Sequence, residues 1–299
     1  MAHRACKGNR RPEKSIPRSN RPTSLPRAGV LAFALCGFDV LAVRAAALPA
    51  CFPPVEIKQA KIVRVERNGV LVLEDGRAAK LEGILFPAGG GDRAPETYAT
   101  EAIARLEAIA TGRTAILAAQ PPKEDRYGRL RAEVLVAGDP QAAWLQRALL
   151  EEGLARVDVA PDRSECVSEL YAAEAHARAA RAGIWSAAAY AVRTPSAVGA
   201  VDGTFQIVEG KVARVTGGGG RMFLEFGPDR NKDFAVVISV EDIRTFRAIG
   251  VDPYSYENQT VRVRGWITRM RRPEMEVATP ADIEVVRSPP LRGSIIAPE

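Results

Sequence analysis

Two turn dipeptides constrain this chain most. Lys61-Ile-Val-Arg-Val-Glu66 alternates apolar and polar residues and runs into Asn68-Gly69. Val70-Leu-Val-Leu73 then leads to Asp75-Gly76, and Ala78 to Ile84 follows. Asn-Gly and Asp-Gly adopt the positive φ angles of tight hairpin turns, so three short strands in a β-meander are expected. A meander of this kind needs a second layer to bury its apolar face. Between Pro95 and Ile109, residues Tyr98, Ala102, Ile103, Leu106 and Ile109 share one helical face. Strands are expected at Thr114 to Ala118 and Arg129 to Val136. Asp139-Pro140 opens a helix from Gln141 to Glu152 that Gly153 closes, with Trp144, Leu145 and Ala148 toward the core. A third helix spans Ser164 to Ala182. This order predicts a small Greek-key barrel decorated with helices.

Residues 187–203 are rich in Ala, Ser, Pro and Gly and read as a linker. Beyond it, apolar runs at Phe205 to Val215, Met222 to Phe226 and Phe234 to Ser239 precede a short helix near Glu241 to Ala248. Val261 to Met270, Met275 to Val277 and Ile283 to Val286 follow. A helix between the third and fourth strands points to a second barrel, of the OB type. The expected class is therefore β-rich α+β, two OB-like barrels in tandem, the first with three helices. The expected organisation is a leader (1–50), a first domain (57–186), the linker (187–203), a second domain (204–287) and a tail (288–299). Lys61-Ile-Val-Arg-Val and Lys211-Val-Ala-Arg-Val head the two units alike, though five residues do not establish duplication.

The chain of 299 residues carries 42 Lys+Arg against 36 Asp+Glu, an excess that suggests a polyanion ligand until it is located. Residues 1–27 hold eight basic groups and one acid, and residues 51–299 hold 33 basic against 34 acidic groups. The basic character belongs to the leader, which argues against broad electrostatic capture of nucleic acid by the rest. Ala28 to Val43 is apolar apart from Asp39, is shorter than the roughly 20 residues of a membrane span and is followed by small residues, as in a secretory signal. Cleavage near Ala47 to Ala50 would export the protein to a periplasmic or secreted location without a transmembrane segment. Of four cysteines only Cys51 and Cys166 would remain, and export permits their disulfide. Leu48-Pro49-Ala50-Cys51 also reads as a lipoprotein box, which would anchor Cys51 to lipid instead. Among the last 249 residues only His176 is a histidine, so four-ligand Cys/His zinc sites and Ser-His-Asp triads are hard to build.

The stretch Lys61 to Trp185 resembles the staphylococcal-nuclease-like, or thermonuclease, family. The resemblance rests on Asp125-Arg126-Tyr127-Gly128-Arg129-Leu130, on Trp144-Leu145 with Leu149 to Val157, and on Glu174 and Arg178 before Gly183-Ile184-Trp185. It implies phosphodiester hydrolysis, in which carboxylates hold calcium, a glutamate activates water and two arginines stabilise the charged transition state. It also implies an Asp-Gly-Asp turn and an Arg-Leu-x-Gly-Ile-Asp-x-Pro-Glu stretch. Here the turn reads Glu66-Arg67-Asn68-Gly69 and the stretch reads Lys80-Leu-Glu-Gly-Ile-Leu-Phe-Pro-Ala88. Lys80 stands at the first arginine, Leu85 at the metal ligand and Ala88 at the general base. Only Arg129 matches.

Lys80 and Arg129 are therefore remnant catalytic positions, and Arg126, Tyr127, Arg129 and Lys80 are candidate phosphate contacts; no metal ligand is assigned. Rim or turn roles serve these residues equally well. Arg156 is expected to pair with Glu174, and Glu82 with Lys80. Asp92 and Glu96 are the candidates for a rearranged calcium site or base. The leading expectation is an exported binding or scaffold protein without cofactor, and the alternative is a weak calcium-dependent nuclease. Arg262, Arg264, Arg269, Arg271 and Arg272, with Tyr254 and Tyr256, offer the second unit a weak hold on single-stranded nucleic acid; an envelope partner is the other option.

Overall fold

The computed structural model describes residues 48–52, 56–137 and 143–286. The first unit runs β1 (Glu56–Val65), β2 (Leu71–Leu73), β3 (Ala78–Leu81), β4 (Ile84–Leu85), α1 (Glu96–Ala110), β5 (Thr114–Ala119), β6 (Leu130–Val136), β7 (Ala143–Trp144), α2 (Leu145–Glu151), β8 (Arg156–Val157) and α3 (Val167–Ala180). The expected meander is present: Gly69 and Gly76 take φ of 79° and 82° at its turns. β1 pairs with β5 from Glu56 to Lys61 and with β2 from Ile62 to Val65, with a register shift between Ile62 and Arg64. That bend lets one strand serve two sides of the barrel. The ring closes because β3 runs parallel to β6, which pairs antiparallel with β5. Ile62, Leu71, Leu73, Leu81, Leu117 and Val134 fill the interior, and Leu106 and Ala110 of α1 cap it.

Two helix starts lie later than expected. Ala143 and Trp144 stay extended because they pair with Val136 and Leu135, so α2 begins at Leu145. Trp144 is fixed there: its indole N–H donates to Glu133 at 2.7 Å and its ring meets Phe52 edge-on at 5.3 Å. Asp139 and Pro140 lie outside the described residues. α3 begins at Val167 because the backbone of Cys166 is not helical, and it ends where Arg181 turns left-handed at φ 54°.

The second unit comprises β9 (Phe205–Lys211), β10 (Arg214–Gly218), β11 (Arg221–Glu225), β12 (Ala235–Ser239), α4 (Val240–Ala248), β13 (Thr260–Arg269), β14 (Pro273–Glu276) and β15 (Ile283–Val285). It forms an OB-like half-barrel sheet in the order β10-β11-β12-β14-β13-β15, with β9 also on β13. α4 lies between the third and fourth runs, as expected, and the Ser239 hydroxyl accepts from the Asp242 N–H at its start. The topology matches the first barrel. A bent first segment, β9 then β10, pairs with the strand after the helix and with the next hairpin strand, and β12 runs parallel to β14. The two similar pentapeptides fall at this bend in both units: Lys61 and Lys211 end the first arms, Ile62 and Val212 are fully buried, and Val65 and Val215 are buried beyond.

Segment 187–203 crosses between the units in short 3-10 turns, with Tyr190 and Val198 buried. Tyr190 joins Ala177, Ile184 and Trp185 of the first unit and Ile207 of the second in one apolar cluster. Beside it lies a charged junction. Glu174 on α3 is fully buried and accepts from Arg264 of β13 at 3.0 Å, from Arg178 and from the Val157 N–H. No described helix is long and apolar enough to cross a membrane; the apolar run at 28–43 lies outside the described residues.

Candidate ligand cleft on the first barrel

The turn after β1, the outer side of β3, the segment around β4 and one face of α1 enclose a cleft of about 380 Å³. Asn68 shapes its edge by accepting the Val70 N–H at 3.2 Å, which holds Gly69 in the turn. The Phe86 ring packs against Gly69, where an added Cβ would come within 2.3 Å of the ring; glycine is required for both the φ and the contact. Lys80, Leu85 and Ala88 all line this cleft. Arg67 joins Lys80 as a second cation, while Leu81, Ile84, Pro87, Ala99 and Ile103 supply apolar wall, and among the described residues no carboxylate lines it. β4 is held from behind by β8, with Leu85 opposite Arg156.

Residues 78–187, which include Lys80, Leu85 and Ala88, match the family model described as Staphylococcal nuclease homologue. Residues 78–187 are a staphylococcal-nuclease-homologue domain. The closed five-stranded barrel, which β1 and β2 complete from before residue 78, is consistent with that fold. No curated protein matches the chain.

Arg126, Tyr127 and Arg129 of this nuclease-homologue domain gather elsewhere, on the turn before β6. Asp125 accepts the Tyr127 and Arg129 N–H groups and pairs with the Arg129 guanidinium at 2.6 Å. Burial works to raise the Asp125 carboxyl, but Arg129 and the turn N–H groups outweigh it and hold it below the usual range. Arg126 and Arg129 both stack on Tyr127, at 5.0 and 4.9 Å. Lys80 alone of the four phosphate candidates therefore lines the cleft.

Two expected pairings, and the expected roles of Asp92 and Glu96, are different in the structure. Arg156 pairs with Asp92 at 2.9 Å, not with Glu174, because Glu174 is taken by Arg264 and Arg178. Glu82 turns to Arg131 at 2.9 Å, not to Lys80, and Arg131 also binds Asp162. Asp92 is not a free ligand or base: it is 3% exposed and bound by Arg156, by the Tyr190 hydroxyl at 3.0 Å and by the Ala88 N–H. Glu96 accepts the Gly90 N–H at 2.8 Å and steadies the glycine loop. Alternation does send Arg262 and Arg264 off the second barrel's interior, but the first unit covers that side. Arg264 is buried there and Arg262 pairs with Glu209 and Glu284. Arg272 is buried against Glu225, and Arg269 donates to the Gly199 carbonyl.

The contacts that the sequence could not reveal are Phe86 on Gly69 and the Arg156–Asp92–Tyr190 set. The same loop is tied across the junction, where Arg93 donates to the carbonyls of Ala200 and Asp202.

A separate feature concerns pH. Burial raises the Glu133 carboxyl to about 8, the Trp144 N–H opposes the shift, and Glu82 and Glu165 add to it. Between the ordinary value near 4.5 and 8 the folded state then binds more protons than the unfolded one. This contribution is fully present below pH 4.5 and is lost as pH rises through 8, at up to about 1.4 kcal/mol per pH unit. Asp282, raised by burial to about 7, acts in the same direction. Urea midpoints measured from pH 5 to 9 are expected to fall across this window, and to fall less steeply in Glu133→Gln. Equal slopes in the two proteins would remove Glu133 as the cause.

Proposed function

We propose that the protein is exported and has lost phosphodiester hydrolysis, retaining the nuclease-homologue barrel as a binding or scaffold module. The observation that supports this reading is the lining of the cleft, where Leu85 and Ala88 stand at the positions that the resemblance assigns to ligand and base, and where no carboxylate is found among the described residues. The residues present do not fit a calcium ion, which takes six to eight oxygen ligands, mostly carboxylate and carbonyl. Among the described residues no group of three His, Cys, Asp or Glu could hold a metal. A missing general base alone forfeits roughly 10²- to 10⁴-fold in rate.

Export is supported by the leader pattern and by the Cys51–Cys166 disulfide, which is compatible with an oxidising space. Internal pairing of Arg262, Arg264 and Arg272 leaves the second unit poorly equipped for phosphate contacts, which favours the scaffold over a nucleic-acid binder. Purified protein is expected to release no acid-soluble product from DNA or RNA above a no-enzyme blank, with or without millimolar calcium. Calcium-stimulated turnover that co-purifies with the protein and falls in Lys80→Ala would overturn the reading.

A further inference from the structure

The same cleft indicates what it would hold once hydrolysis is set aside. Its cations come from the sheet side, Arg67 from the turn after β1 and Lys80 from β3. The opposite side is apolar, with Ala99 and Ile103 one turn apart on α1. Leu85, Phe86 and Ile103 are only half-buried, so apolar surface remains open to a ligand. Among the described residues, Arg67 and Lys80 form no ion pair within 4 Å. Burial raises the Asp158 carboxyl, and Lys80 and Arg156 act against that rise from a distance rather than through a direct ion pair. No acid among the described residues therefore pairs directly with the cleft's two cations.

A phosphodiester strand is polar along its length and suits this surface poorly. Every polar group it placed against Leu85, Phe86 and Ile103 would lose water without gaining a partner. A ligand with one anionic head and an apolar body satisfies both halves. The head pairs with Lys80 and Arg67, and the body covers the wall around Leu85. The volume lies within the range of small-molecule pockets.

From the charge and wall chemistry we infer that the cleft binds an amphipathic organic anion, a single-chain carboxylate of medium length. This rests on the reading that the cleft does not hydrolyse phosphodiesters. The substitutions that remove that chemistry, leucine and alanine in place of acids, are also the ones that make the wall apolar and leave the cations unopposed.

Calorimetric titration of the full protein tests it with three probes: decanoate below its micellar concentration, decyltrimethylammonium, and thymidine monophosphate. Saturable decanoate binding is expected, with the ammonium and the nucleotide each at least about tenfold weaker, the discrimination that one charge-assisted contact supplies. Lys80→Ala should weaken decanoate by about tenfold, and Arg67→Ala, in an exposed turn that leaves folding unaffected, should weaken it in the same sense. Absence of decanoate binding overturns the inference. So does equal binding of the ammonium, which would mean an apolar surface without charge selection, or preference for the nucleotide, or indifference to both substitutions. Calcium-stimulated cleavage in the assay above would instead sink the non-hydrolytic reading, so the two failures are distinguishable.

Discussion

Replacing Glu174 with alanine is expected to destabilise the protein by about 3–5 kcal/mol, the usual cost of stripping one partner from a buried ion pair. Glu174 is 0% exposed and receives Arg264 through both terminal nitrogens, at 3.0 to 3.1 Å, together with Arg178 and the Val157 N–H at 2.9 Å. Arg264 is itself buried, with its guanidinium 4.2 Å from the Tyr171 ring centre and donating to the Val157 carbonyl. Without Glu174 that charge stays in the junction with Glu284, 4.0 Å away, as the one carboxylate within ion-pair distance among the described residues. Urea unfolding should show one transition for the parent, followed by Trp144 and Trp185 in the first unit and Trp266 in the second, and a lowered midpoint for the variant. Glu174→Leu with Arg264→Met should recover much of the loss, because apolar pairs of similar size often replace buried ion pairs without cost. The acid side adds a second signature. Burial pushes the Glu174 carboxyl up, but Arg264 and Arg178 outweigh it and hold it below 4.5. Its contribution is therefore present above pH 4.5 and lost as pH falls through the lowered value, the reverse of Glu133. A loss under 1 kcal/mol, or separate transitions for the two sets of tryptophans in the parent, would refute a shared charged junction.

What the sequence disclosed and what it withheld divide along the range of the interactions. Asn68-Gly69 and Asp75-Gly76 located the meander because the turn conformation depends on two neighbouring residues. The helical face of α1 was legible for the same reason. The pentapeptides at Lys61 and Lys211 were visible as a likeness, but their meaning as the corner of each first strand needs the pairing of β1 with both β2 and β5. Arg264 shows the limit most clearly. Period-two alternation correctly placed it off the barrel interior, and nothing local told that the face would be covered by α3, with a partner ninety positions away at Glu174. Asp92 was misread for a related reason. A glycine loop suggests freedom, yet Arg156 and Tyr190, distant in sequence, bury its carboxylate. In the cleft, Leu85 and Ala88 could be aligned from the resemblance, whereas the ring of Phe86 on Gly69 is a matter of packing.

Removal of the Cys51–Cys166 bond is expected to cost about 4–5 kcal/mol, the entropic figure for closing a loop of over a hundred residues and an upper value because it ignores native strain. The cysteines are 115 positions apart in sequence and 5.1 Å apart at Cα. The loop they close contains the whole of the first barrel, from β1 to the threshold of α3, so the unfolded chain loses much of its freedom to a single link. Cys51 precedes Phe52, which is buried against Trp144, and Cys166 is 4% exposed immediately before the helix that carries Glu174. Reduction therefore loosens the start of the barrel and the base of the junction helix together. Urea midpoints of the oxidised protein, the reduced protein and the double variant Cys51→Ser, Cys166→Ser should place the last two together and well below the first. Combined with Glu174→Ala the losses should not add, since Cys166 anchors the start of the helix that carries Glu174 and both changes loosen the docking of that one helix. Oxidised protein lacking residues 1–50, and so lacking Cys6 and Cys36, that still shows two reactive thiols would contradict the bond itself. Unchanged midpoints with the bond verified by mass would mean that the denatured chain keeps residues 51 and 166 close without it, and the loop-entropy account would fail.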